Sequence, residues 1–71
     1  MMAVKWSKLA PYIENGYASQ GRVERSSIVD AAYDDAADDD VVDALDALGS
    51  RVFNSVDEAR QFLASQGVVE D

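Results

Sequence analysis

Asp30-Ala-Ala-Tyr-Asp34-Asp35-Ala-Ala-Asp38-Asp39-Asp40-Val-Val-Asp43-Ala-Leu-Asp46 puts eight carboxylates into seventeen residues with no positive charge among them. A solvated tail of this kind carries few apolar residues. Here Ile28, Val29, Ala32, Val41, Ala44, Leu45 and Leu48 recur in and around the run at helical spacing. The pattern predicts two folded helices with acidic outer faces.

The first of the two begins with Ser27 as N-cap, followed by Asp30 three residues on, and extends to about Ala37. Ile28, Val29, Ala32, Tyr33 and Ala36 form its apolar side, with Asp30 and Asp34 turned to water. Asp38 caps the second helix, with Asp39 and Asp40 in the first turn, where the helix dipole favours negative charge. That helix, about Asp39 to Leu48, sets Val41, Ala44, Leu45 and Leu48 against Asp39, Asp43 and Asp46 and ends at Gly49. Almost nothing connects the two, so they are expected to meet at a tight acidic corner.

Downstream, Ser50-Arg51-Val52-Phe53-Asn54 reads as a connector with Phe53 as a core anchor. Ser55-Val56-Asp57-Glu58 matches the capping box, in which Ser55 and Glu58 bond each other's amides. Val56, Ala59, Phe62 and Leu63 then form a buried face before Gly67. Upstream, a helix is expected from about Ser7 to Asn15, with Gly16 as its stop and Trp6, Leu9, Ala10, Ile13 and Tyr17 on one face. Pro11 deletes an intrahelical bond and moves the start toward Ala10. Residues 18–25 read as a loop with a short extended piece around Val23. The expected fold is all-α, one domain over 1–71 of three to four short helices, with flexible ends at 1–6 and 68–71 and little room for a sheet.

The stretch Ser26 to Leu48, with its Ala32-Tyr33 helix ending, acidic cap and Val41-x-x-Ala44-Leu45-x-x-Leu48 pattern, followed by Phe53-Asn-Ser55-Val-Asp-Glu58, resembles the small helical family catalogued as domain of unknown function 2795. The resemblance covers about residues 25–63. Where that family tends to have a proline after the last leucine, this chain has Gly49-Ser50, and the Trp6 segment has no clear counterpart. The resemblance implies a fold and carries over no catalytic residue.

Seventy-one residues bury only roughly 60% of the unfolded chain's surface, which leaves little room for a deep cleft. Cysteine and histidine are absent, and with them the commonest thiol nucleophile, general base and transition-metal ligands. A calcium loop needs a central glycine and a terminal glutamate, and Asp34 to Asp46 supplies neither. Exposed carboxylates such as Asp39 and Asp43 are poor general acids at neutral pH. The chain is therefore expected to be non-enzymatic, with no metal and no cofactor.

The formal charge of −8 is uneven: four basic and two acidic groups in 1–25, eight acidic and no basic in 26–48, two basic and four acidic in 49–71. Such a field opposes direct nucleic-acid or membrane binding and suits a protein with a basic surface. No window is long and apolar enough to span a bilayer, and a cytoplasmic, soluble protein is expected. The expected binding face is Asp34, Asp39, Asp43 and Asp46. A second contact on the first helix, through Lys5, Lys8 and Tyr12, would take a partner or another copy of the chain. The alternative function is nucleic-acid mimicry, in which rows of carboxylates stand in for phosphates and inhibit a DNA- or RNA-binding protein. Aspartate in excess of glutamate, with only two lysines, also resembles a composition kept soluble in high salt, and acidity alone leaves salt adaptation and recognition both open.

Overall fold

A computed structural model describes residues 3–70. The elements in chain order are β1 (Val4–Lys5), α1 (Trp6–Gln20), β2 (Val23–Glu24), α2 (Arg25–Asp34), α3 (Asp39–Asp46), β3 (Val52–Phe53), α4 (Val56–Ser65) and β4 (Val69–Glu70). The protein is thus mostly α, and the all-α expectation is corrected by two short ladders. β2 pairs antiparallel with β3, Val23 opposite Phe53, and β1 pairs parallel with β4, Val4 opposite Val69. Two-residue strands have no periodicity to read, so only the extended piece at Val23 is visible in the sequence.

The ladder of β1 and β4 brings together segments near the two ends of the described residues. Of the stretches expected to be flexible, residues 4–5 and 69–70 pair, Val4 and Val68 are buried, and Trp6 already belongs to α1. A valine near each end finds a place in the core. Met1, Met2 and Asp71 lie outside the described residues.

The apolar positions of all four helices meet in one cluster. Leu9 and Ile13 of α1, Ile28 and Ala32 of α2, Val41, Val42, Ala44 and Leu45 of α3, and Ala59 and Leu63 of α4 are buried there with Leu48 and Phe53. The expected inner face of α3 is correct but one residue short, because Val42 is buried as well. The expected aromatic members hold less well. Trp6 packs partly against the cluster, while Tyr17 is 39% exposed and Tyr33 is 67% exposed.

α1 is longer than its sequence suggests. It runs through both punctuating residues, with Pro11 inside it and Gly21 in the left-handed C-cap. Gly16 is a contact point instead of a stop: a Cβ built there would lie 2.9 Å from Ile28 Cγ1, so the bare backbone lets α1 and α2 approach closely. α2 begins two residues before Ser27, with Glu24 at the N-cap position and no side-chain cap bond. It ends earlier than expected because Ala36 turns left-handed, φ 54°. The Ala36 N–H then donates to the Tyr33 carbonyl and the Ala37 N–H to the Ala32 carbonyl, both at 3.0 Å, the paired bonds of a Schellman ending.

A residue with a Cβ at that position carries a steric cost which glycine escapes. Ala36→Gly is expected to stabilise the fold by about 0.5–1 kcal/mol after the entropy of the freer unfolded chain is offset. A thermal melt would show this as a rise of several degrees, and a fall would mean that the left-handed turn is not kept in solution. The end of α4 shows the same motif with glycine in place: Gly67 at φ 74° donates to Ala64, and Val68 donates to Leu63. At the start of α4 the Glu58 N–H donates to Ser55 Oγ at 3.1 Å as the capping box predicts. The return bond differs, since the Glu58 carboxylate accepts from the Asn54 N–H, one residue earlier than Ser55.

Candidate functional site

Residues 35–38 join α2 to α3, and the acidic run extends over both helices and this connector. Asp34 closes α2, Asp38 holds the N-cap position of α3, and Asp39 and Asp40 occupy its first turn. The Asp38 side chain makes no cap bond; Asp40 Oδ1 instead accepts the Val41 N–H at 2.9 Å. All eight carboxylates of the run are exposed. This follows from the helical wheel, because Val41, Val42, Ala44 and Leu45 commit the other side of α3 to the core.

The four carboxylates expected to form the binding face are not equivalent. Asp46 is engaged: Arg25 Nη1 donates to its Oδ1 at 3.0 Å while Arg25 Nε donates to the Gly49 carbonyl at 3.1 Å. This clasp ties the start of α2 to the end of α3. Asp34, Asp39 and Asp43 accept no side-chain hydrogen bond from another described residue. They offer free charge to solvent, whereas Asp46 has a structural task.

The patch expected on the first helix is divided. Lys5 lies on β1 and Lys8 on α1, both exposed. Tyr12 is half-buried against the core and its hydroxyl donates to Asp35 Oδ2 at 2.6 Å. Tyr12 therefore finds its partner within its own chain. Together with Lys8, Pro11, Asn15, Ala31 and Asp35 it lines a shallow groove between α1 and α2. Neither this contact nor Arg25's is legible in the sequence, since the partners are 23 and 21 residues apart.

The Tyr12 hydroxyl titrates above its ordinary value, first because of the hydrogen bond to Asp35, then through loss of water and the negative charge of Asp35 and Asp38. With the folded value above the unfolded one, the contact contributes to stability below about pH 10 and that contribution is lost as pH rises through the folded value. In a Tyr17→Phe, Tyr33→Phe background, Asp35→Asn is expected to lower the tyrosinate absorbance midpoint toward about 10. An unchanged midpoint would show that the hydroxyl does not bond Asp35. Elsewhere, Arg22 Nε donates to Glu24 Oε2 at 2.9 Å and Ser26 donates to Glu24 Oε1. The two bonds, Arg22's first, lower the Glu24 carboxyl below its ordinary value.

Chemically, the face can pair with cations and accept hydrogen bonds. Among the described residues no three carboxylates converge as metal ligands, and no helix is long and apolar enough to cross a membrane. A family model described as protein of unknown function (DUF2795) matches residues 23–60, which span β2, α2, α3, β3 and the first half of α4. The match falls on the resemblance seen over 25–63. No curated protein and no solved structure matches the chain.

Proposed function

We propose that this chain, which belongs to the DUF2795 family of proteins of unknown function, works as a non-enzymatic interaction module that presents its acidic helix–helix corner to a protein with a basic surface. One observation carries the reading: all eight carboxylates of the Asp30–Asp46 run are exposed, and Asp34, Asp39 and Asp43 are unengaged on two helices fixed by the core. Rigid, unneutralised charge raises the rate of encounter with an oppositely charged surface and helps select it. A solubility device needs charge but no fixed placement.

The test compares wild type with an Asp34→Asn, Asp39→Asn, Asp43→Asn variant whose fold is checked by circular dichroism. Asp46 is left intact because it holds Arg25. With about 0.5 kcal/mol for each exposed pair, the variant is expected to bind a basic partner recovered from native lysate about tenfold more weakly. Equal affinity for that partner would reduce the acidic face to a solubility role. Release of the partner by competing duplex DNA would shift the reading to nucleic-acid mimicry.

A further inference from the structure

Asparagine occurs twice, as Asn15-Gly16 and Asn54-Ser55. In both, the following residue is small, so little hinders its backbone nitrogen from attacking the asparagine side-chain amide and closing a ring. On local grounds Asn15 is the more reactive, because Gly16 has no Cβ at all. The fold reverses that order.

Asn15 and Gly16 lie inside α1. Helix geometry commits the Gly16 N–H to the carbonyl four residues back, and the Gly16 backbone is pressed against Ile28 of α2. Its nitrogen cannot turn toward the Asn15 amide unless this part of α1 leaves its place. Asn54 is exposed and stands in the connector between β3 and α4, outside any helix or strand. The Asn54 N–H donates to Glu58 Oε2 at 3.1 Å, taking the bond that a regular capping box gives to the N–H of the cap residue. Among the described residues, nothing therefore accepts from the Ser55 N–H. The nitrogen placed to attack Asn54 is the one that the displaced cap leaves free.

We propose that Asn54 is the site at which this chain deamidates spontaneously, through a ring closed by the Ser55 nitrogen, and that the docked α1 helix protects Asn15. The Ser55 nitrogen gives up its proton to solvent and bonds to Asn54 Cγ, the bond from Cγ to Nδ2 breaks, and ammonia leaves. Water then opens the succinimide at either carbonyl, which leaves an aspartyl or an isoaspartyl residue at position 54. The net change is hydrolysis of one amide to a carboxylate and ammonia. The isoaspartyl product carries an extra backbone methylene directly before the Ser55 cap, and either product adds a negative charge beside Asp57 and Glu58.

The full chain, incubated folded in mildly alkaline buffer and then digested with trypsin, separates the two sites, since cleavage after Lys8, Arg22, Arg51 and Arg60 yields segments 9–22 and 52–60. Mass spectrometry with fragmentation reads conversion at each asparagine. Asn54 is expected to convert about tenfold or more faster than Asn15, because an exposed connector opens at far lower free energy than a helix packed into the core. In urea the order should reverse, and Asn54→Gln should abolish conversion in 52–60. Isoaspartyl and aspartyl products together mark the ring route. Faster conversion at Asn15 in the folded chain, the same order with and without urea, or an aspartyl product alone at position 54 would overturn the proposal. So would an unconverted Asn54 after an incubation in which the chain in urea has converted at Asn15.

Discussion

Phe53→Ala is expected to lower the stability of the fold by about 3–5 kcal/mol, a large share of the roughly 4–10 kcal/mol available to a chain of this length. Phe53 is buried on β3, and its ring centroid lies 5.2 Å from that of Phe62, tilted by 42°. Phe62 in turn carries the Arg51 guanidinium on its face. Truncation therefore removes one ring's burial and leaves the next without its neighbour. The cavity has little freedom to collapse, because the backbone of Phe53 is held opposite Val23 while α4 is anchored by Ala59 and Leu63. A urea titration followed by far-UV circular dichroism should show the midpoint falling by about 2 M or more, given a slope near 1–1.5 kcal/mol per M. A loss below about 1 kcal/mol would mean that the ring is not part of the packed core.

The elements legible in the sequence are those fixed by local chemistry. α4 announces itself through Ser55 and Glu58, whose bond at 3.1 Å needs only three residues of separation. α3 is legible because its buried and exposed residues separate cleanly around the wheel. α1 misleads for the opposite reason: Pro11 and Gly16 are helix breakers on local grounds, and packing overrules both. Gly16 is required by Ile28, a residue twelve positions away, and no local pattern reveals such a neighbour.

The candidate site divides in the same way. The outward direction of Asp34, Asp39 and Asp43 follows from helical phase alone, which the sequence carries. Their inequality with Asp46 does not, because it depends on Arg25 reaching across to the end of another helix. Tyr12 lies off the inner face of α1 by helical phase, which points to an outside partner, yet its partner is Asp35 of the same chain. Tyr33 departs in the other direction, since helical phase puts it on the apolar side of α2 while the residue is mostly exposed.

Ile13→Ala tests the claim that packing alone makes α1 a helix. Pro11 and Gly16 together cost about 4 kcal/mol relative to alanines in a helix interior. No side chain caps the helix start, no acidic residue lies in its first turn and no basic residue in its last. Its support comes from Leu9 and Ile13, one turn apart and fully buried against the other three helices. Removing Ile13 is expected to cost about 2–5 kcal/mol, while Glu14→Ala, next to it but exposed, should change stability by less than about 0.5 kcal/mol. Trp6 opens α1 with its ring under Arg60 of α4, so its fluorescence reports the docking of this helix directly. Because α1 supplies two of the large side chains at the centre of a small core, fluorescence and circular dichroism transitions should coincide and move together in Ile13→Ala. A Trp6 transition that ran ahead of the helical signal would show α1 docking onto a unit that already holds itself together, and the dependence of helix on core would then run in one direction only.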